Sequence, residues 1–262
     1  MLRERRWAGF TLLAVAFVLL FVRLSFWQWS RLHERRVAND VIRAHLAAPP
    51  VGYPDLVALL PTHHDIAHEL EWREVAVTGR WDAGHQVLIR NRESSDGAPG
   101  YEVVTPLVPA SGPVLLVDRG WVPAGRTPEA PDAKSVPQAG IVSVTARLQP
   151  SEPDRPADSL PQGQLLSIAT DAVARDVPYP LVPGYAVLVD EQPKPASASA
   201  PQILPGPVID DGPHLSYAVQ WLLFAAVAIG GWWTFLRREY EEREAEPVPP
   251  VARDLPEVPS NP

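Results

Sequence analysis

The sequence contains no cysteine, and its single methionine is Met1. A chain without thiols can form no disulfide framework, no thiolate nucleophile and no thiolate metal site. Copper carriers of the soft-ligand type depend on such sulfur atoms. The composition therefore predicts that this chain does not deliver copper by itself.

Two broad classes of function are also disfavoured. The net charge is −8 and no basic stripe runs through the chain, which argues against a nucleic-acid partner. The sequence has no G-x-S-x-G elbow, P-loop, H-E-x-x-H motif or dinucleotide fingerprint. We therefore expect no enzymatic activity.

One histidine-rich stretch could bind a metal in principle. His64 and His68 would lie at i and i+4 of a helix, beside His63. No carboxylate stands at matching spacing, however. A polar loop with hydrated histidines is the interpretation that we favour.

The first of two apolar blocks begins near the N-terminus. Residues 7–22 would rise about 24 Å as a helix, short of the roughly 30 Å hydrocarbon core. The missing length is available if Arg23 snorkels and if Trp27 and Trp29 lie in the interfacial belt. Bulky residues replace the small residues of a signal-peptide cleavage site. We predict an uncleaved transmembrane helix over residues 7–29, after a short N-terminus at 1–6.

The second block, residues 215–236, is uncharged and long enough to span a bilayer. We predict a transmembrane helix over 214–236. Arg237 and Arg238 follow it, and cationic flanks favour the cytoplasmic side. The sequence thus predicts a multi-pass protein of the cell membrane with both termini in the cytoplasm, including an acidic, proline-rich and disordered tail at 237–262.

The segment between the spans, residues 30–210, is predicted to form a domain outside the cytoplasm. It opens with a helical stalk that prolongs the first span, and a proline-rich flexible linker occupies 191–208. Alternating or β-branched runs separated by glycine and proline predict a compact, mostly antiparallel β domain, barrel-like or sandwich-like. The candidate strands are 73–81, 86–90, 101–108, 114–118, 141–148 and 185–189, with a short helix at 167–176.

The stretch "LVDRGWVP" ends one of these strands. We interpret Asp118 as the last strand residue, Gly120 as a turn, and Trp121 as a side chain held on that turn. An adjacent Asp and Arg are more often a structural brace than a site. A tryptophan beside Arg119 could nevertheless dock a partner, because aromatic and arginine side chains dominate interface energetics.

The beginning of the second span carries a histidine. Pro213 suits the first helical position, which puts His214 in the first turn, where the helix dipole favours a neutral, ligand-competent imidazole. His214, Tyr217 and Trp221 fall at i, i+3 and i+7 and share a face, and Ala218 and Ala225 on that face could leave room for a flat ligand. The alternative is an interfacial histidine beside ordinary belt aromatics.

Five motifs in order resemble the surfeit locus protein one family. They are "FWQWSRLHERR", "VAVTGRWD" with "QVLIRNR", "GYEVVTPL", "LVDRGWVP" and "HLSYAVQW". The resemblance implies a non-enzymatic membrane factor that assists assembly of cytochrome c oxidase, with haem a insertion into the catalytic subunit as its task. It also implies that His214 binds haem a, and that Gly79, Arg119, Gly120 and Trp121 are important for structure or interaction.

We add a hypothesis about the remaining groups near this histidine. Arg23 or Arg31 could pair with haem propionates, because a guanidinium matches a carboxylate bidentately. Trp27, Trp29 and Trp221 could wall the macrocycle. A second axial ligand could come from the oxidase subunit, and a homo-oligomer is compatible with the pattern. The competing interpretation is a membrane-anchored scaffold that grips the oxidase without binding haem.

Overall fold

The computed structural model describes residues 5–60, 66–125, 136–156, 159–196 and 200–245. It divides into two compact units, Met1–Arg36 with Asp211–Pro262, and Val37–Asp210. His63, His64 and residues 246–262 of the predicted tail lie outside the described residues. In chain order the elements are α1 (Arg5–Ala47), β1 (Val51–Gly52), α2 (Tyr53–Leu59), α3 (Ile66–Glu69), β2 (Glu74–Trp81), a 3-10 turn (Ala83–His85), β3 (Val87–Glu93), β4 (Pro99–Pro109), β5 (Leu115–Pro123), β6 (Val142–Gln149), β7 (Gln164–Leu165), α4 (Thr170–Ala174), β8 (Tyr185–Gln192) and α5 (His214–Ala245).

Helices α1 and α5 are long and apolar enough to cross a membrane, and only 6% of the most apolar window of each is buried. A core helix of a soluble protein would bury most of such a window, whereas here large apolar side chains such as Leu12 and Val227 stay exposed. Helix α1 continues without a break from the span into the stalk. Helix α5 continues past 236, so the first nine residues of the predicted disordered tail are helical. Helix-forming residues and the ion pair of Arg237 with Glu241 at i, i+4 account for this extension.

The less exposed residues of the two helices follow a heptad pattern within the first unit. On α1 and α5 they recur at alternating intervals of four and three residues, which defines a seam: Trp7, Thr11, Ala14, Val18, Phe21, Ser25, Gln28 and Leu32 on α1, and His214, Ala218, Trp221, Ala225, Ala228 and Trp232 on α5. This spacing is typical of left-handed helix pairs. The pairing is antiparallel, because Thr11 bonds Trp232 whereas Ser25 bonds Ala218.

The second unit contains a closed β-barrel. Strands follow one another around it in the order β2, β6, β8, β5 and β4, and β4 pairs again with β2, while β1, β3 and β7 extend the sheet. Most pairs are antiparallel, with β5 and β8 the parallel pair inside the ring. The predicted mostly β domain between two apolar helices is confirmed, and of the two architectures considered it is the barrel.

Gly79 explains how the barrel closes. It pairs with Pro109 at the β2–β4 contact. A Cβ atom at Gly79 would lie only 2.5 Å from the carbonyl oxygen of Val108. Two backbones can approach this closely only where one of them has no side chain. Gly79 therefore has a structural role in the second unit.

The barrel interior is filled by the alternate residues of its strands. Val75 and Val77 of β2 point inward beside Leu115 and Val117 of β5. This period of two is the pattern by which the strands were predicted. The predicted helix at 167–176 is shorter, Thr170–Ala174, and the two-residue strands β1 and β7 were not predicted.

Candidate functional site

His214 begins helix α5, as predicted from Pro213. The first helical hydrogen bond runs from the Tyr217 N–H to the Pro213 carbonyl, 3.1 Å away. Gly212 precedes them with φ +67°, a conformation that turns the chain into the helix and that suits glycine. His214 therefore lies in the first turn of the helix, and the backbone of that turn fixes where its side chain begins.

The imidazole contacts a residue that sequence reasoning did not single out. Nδ1 of His214 lies 2.8 Å from Oε1 of Gln28 on α1. An amide oxygen can only accept, so Nδ1 is the donor in this hydrogen bond. Both residues belong to the seam, and the spacing of Ser25, Gln28 and Leu32 is the signal in the sequence that could have indicated Gln28.

The other edge of the ring faces Gly212. A Cβ atom there would lie 3.4 Å from Nε2 of His214 and 3.3 Å from Cδ2. Because glycine has no Cβ, the Nε2 edge keeps space that any other residue would partly fill. Nδ1 has a hydrogen-bond partner and Nε2 has none within the described residues, which is the arrangement of a histidine that can take a metal ion.

Of the other residues predicted around His214, one lies on the seam between the helices and the others lie on the exposed faces of the helices. Tyr217 is 46% exposed and Trp27 is 47% exposed, and both lie off the seam. Trp221 lies on the seam and stacks on Phe21, with ring centroids 5.7 Å apart. Its Nε1 is buried and has no hydrogen-bond partner within the described part of the chain.

One further prediction about this region differs from the structure. Ala218 and Ala225 were expected to leave room for a flat ligand, but both are buried in the helix seam. Ser25 Oγ donates to the Ala218 carbonyl over 2.9 Å. Small residues serve close helix packing here, as they do in many membrane helix pairs.

The arginines that follow the apolar part of α1 are exposed. The Arg31 guanidinium lies 5.9 Å from the Trp27 ring centroid and also pairs with Glu34 at 2.7 Å. Arg23 is exposed as well. Exposed ion pairs of this kind stabilise a fold little, so the guanidinium of Arg31 can exchange one carboxylate for another.

The "LVDRGWVP" stretch does not turn at Gly120; β5 runs on to Pro123. On β4, Glu102 pairs with Trp121 while Val104 pairs with Asp118, so two residues of β5 face one of β4. The extra residue makes a β-bulge, in which Gly120 adopts φ +122°. Asp118 Oδ1 accepts the Gly120 N–H over 2.9 Å and braces the bulge.

Arg119 is 1% exposed and lies among barrel residues. Its Cζ atom lies 5.3 Å from the Trp81 ring centroid, and Trp81 Nε1 donates to Glu191 Oε1 over 2.6 Å. Burial lowers the pKa of Arg119, and the negative charge of Glu191 opposes that shift. The arginine is therefore part of a buried charge network within the second unit.

The Asp118 side chain meets a different set of charges. Burial raises the pKa of Asp118 well above its ordinary range, and the charge of Glu102 adds to the shift. Arg92 pairs with Glu102 at 2.9 Å and with Glu152 at 2.6 Å. Within the described residues no group of three or more acidic or histidine side chains could hold a metal ion.

Trp121 is 8% exposed, because its ring lies against Gly100 of β4 and its Nε1 donates to the Arg92 carbonyl over 3.3 Å. Its backbone N–H and C=O both bond Gln202, at 2.8 and 2.7 Å. Gln202 of the predicted flexible linker is thus paired with β5, and the first two residues of that linker, Glu191 and Gln192, belong to β8. Arg119 and Trp121 are both buried within the second unit, and their predicted role in interaction stays a prediction.

Comparison with known proteins places the chain in a family. Residues 15–226 match the model of the SURF1 family. A SURF1-like protein of Mycobacterium bovis is 34% identical over 256 residues, covering 95% of this chain and 91% of the relative. SURF1-like proteins of Monosiga brevicollis and Rickettsia felis are 28% and 25% identical, covering 88% and 77% of this chain and 88% and 85% of the relatives. The resemblance seen in the five motifs is confirmed: the chain belongs to the SURF1 family, which is generally linked to cytochrome c oxidase assembly.

Proposed function

We propose that this protein is a non-enzymatic assembly factor that binds haem a at His214 and assists its insertion into the catalytic subunit of cytochrome c oxidase. The observation that carries the proposal is the state of His214, with Nδ1 held by Gln28 and Nε2 beside Gly212. Membership of the SURF1 family is the reason for proposing cytochrome c oxidase as the enzyme that is assembled. Histidine is a common axial ligand of haem iron.

The surroundings of His214 suit an amphipathic macrocycle. Nε2 would take the iron, and the exposed rings of Trp27 and Tyr217 would contact the apolar faces. Arg23 and Arg31 would pair with the propionates, which match a guanidinium fork. An exposed site on a helix pair suits a haem that must be released again, because the oxidase subunit can approach the bound haem from the side.

We further propose the cell membrane as the location, with both termini in the cytoplasm. Arg237 and Arg238 follow the second apolar helix, and cationic flanks favour that side. His214 would then lie at the outer surface of the bilayer. Haem a would be received and released there, next to the oxidase subunit in the same membrane.

The test is to purify the full chain from cells that make haem a and to record its visible absorption spectrum and extracted pigment. Wild type should carry haem a and His214→Ala should lose it. His33→Ala is the matched control, because His33 is an exposed histidine of the same helix pair; it should keep the pigment. Wild type without haem a, or equal pigment in His214→Ala, would refute the proposal.

A scaffold without haem is the second candidate, supported by the exposed aromatic side chains off the seam. Phe26 is 68% exposed and Trp29 is 59% exposed, and such apolar faces suit a partner helix as well as lipid. A scaffold predicts that the oxidase catalytic subunit co-purifies equally with wild type and with His214→Ala, and that neither carries haem a. Size analysis of the same preparations tests whether a second copy uses this face.

A further inference from the structure

Within the described residues, Gln28 is the one hydrogen-bond partner of the His214 ring nitrogens, and it comes from the other helix, 186 positions away in the sequence. We infer that Gln28 is a positioning residue: it fixes the His214 tautomer with the proton on Nδ1, so that Nε2 is the nitrogen offered to a metal. The inference rests on the proposed function for the identity of the metal group, haem iron. The tautomer itself can be measured without haem.

The chemistry follows from the atoms in contact. A neutral imidazole has one N–H donor and one bare acceptor nitrogen, and the partner of one nitrogen decides the state of the other. Oε1 of Gln28 lies 2.8 Å from Nδ1 and can only accept. The bare lone pair is therefore on Nε2, the edge beside Gly212. The partner of a metal-binding histidine orients the ring and raises its basicity in this way.

The position of Gln28 is itself determined by the seam. One turn earlier, Ser25 Oγ donates to the Ala218 carbonyl at 2.9 Å, which sets the register of the two helices. One turn later, Leu32 is buried. Between these two contacts the Gln28 side chain emerges at the level of the first turn of α5, where His214 begins.

Two substitutions separate the hydrogen bond from the space that Gln28 fills. Gln28→Leu keeps a similar volume but removes the acceptor, so both tautomers of His214 should be populated. Loss of such an outer-shell partner typically weakens metal binding by about 10–100-fold, and we expect a haem a affinity reduced by that factor. Gln28→Glu keeps an acceptor and makes it anionic. It should preserve the tautomer and lower the reduction potential of bound haem, because a more basic imidazole stabilises the ferric state.

The first measurement uses the full chain in detergent micelles, without haem and with ¹⁵N-labelled histidine. The ¹⁵N shifts of the His214 ring, assigned by their loss in His214→Asn, tell which nitrogen carries the proton. Wild type and Gln28→Glu should show the proton on Nδ1, and Gln28→Leu should show a mixture. Gln220→Leu removes an exposed amide from the other apolar helix and should leave the tautomer unchanged.

The second measurement titrates the same variants with haem a. A proton on Nε2 in wild type, or an unchanged tautomer in Gln28→Leu, would overturn the inference. Equal haem a affinity of wild type and Gln28→Leu would overturn it too, while the proposed function would stand. If wild type has the proton on Nδ1 but binds no haem a, the positioning by Gln28 stands and the proposed function fails. If Gln28→Leu does not fold, the reduction potential of haem bound to Gln28→Glu tests the inference instead. A potential that is not lower than that of wild type would overturn it.

Discussion

Gly120→Ala tests how the barrel holds the segment that follows β8. Gly120 lies in the bulge of β5 at φ +122°, and a Cβ atom would meet the Gln202 carbonyl oxygen at 2.2 Å and its carbon at 2.8 Å. No side-chain rotation relieves this contact, because both neighbours are backbone atoms. The chain at Gln202 must therefore move away, which breaks its two hydrogen bonds to Trp121.

The magnitude has two parts. A residue other than glycine in such a conformation costs about 1–3 kcal/mol. Each lost hydrogen bond adds about 0.5–1.5 kcal/mol, so Gly120→Ala should reduce the free energy of unfolding by about 2–6 kcal/mol. Gly140 is the matched control, since it also has a positive φ, +101°, but open space around its Cβ position. Gly140→Ala should cost only the backbone part, about 1–3 kcal/mol.

The assay is thermal unfolding of the full chain in detergent, followed by near-ultraviolet circular dichroism of its aromatic residues. For a domain of this size, 1 kcal/mol shifts Tm by about 2–4 °C, so the hydrogen-bond part alone should separate the two variants by about 2–12 °C. If Gly120→Ala unfolds no earlier than Gly140→Ala, the contact with Gln202 does not contribute to stability. The role assigned to this glycine would then be wrong.

Two further predictions concern the buried charges of the second unit. Arg119→Leu removes the cation that balances Glu191 and should reduce the free energy of unfolding by about 3–5 kcal/mol. Adding Glu191→Gln, whose side chain still accepts from Trp81 Nε1, should recover a large part of that loss. Denaturant titration measures both, and a double variant no more stable than Arg119→Leu would contradict this account. Asp118→Asn should become increasingly more stable than wild type as pH rises from about 4, the ordinary pKa of aspartate. The reason is that the folded-state pKa of Asp118 is raised, so wild type loses stability as pH rises through that value, whereas asparagine cannot ionise. Unfolding curves measured from pH 4 to pH 8 test it, and a constant difference between the two proteins would exclude Asp118 as the titrating group.

Features that depend on neighbours in the sequence could be predicted. The apolar runs at 7–29 and 214–236 become helices because a long apolar segment must satisfy its own backbone hydrogen bonds. The alternation in "REVAVTGRW" becomes β2 because a barrel strand has one face toward the core. His214 begins its helix because Pro213 suits the position where an N–H has no partner.

Features that depend on distant chain segments could not be predicted. The glycine in "DRGW" was expected to make a turn, since glycine in a loop and glycine in a bulge look alike in sequence. Only the pairing of β5 with β4 and the approach of Gln202 distinguish them. In the same way, only the tertiary structure shows that the Trp121 ring is buried against Gly100 of the neighbouring strand β4.

The sequence by itself determined the two apolar helices, the β domain between them and the family, because each depends on composition and local pattern. It also placed His214 in the first turn of its helix. Only the tertiary structure decided which nitrogen of that histidine has a hydrogen-bond partner. The reason is that its partner, Gln28, is 186 residues away, and only the antiparallel packing of α1 on α5 brings the two side chains to 2.8 Å.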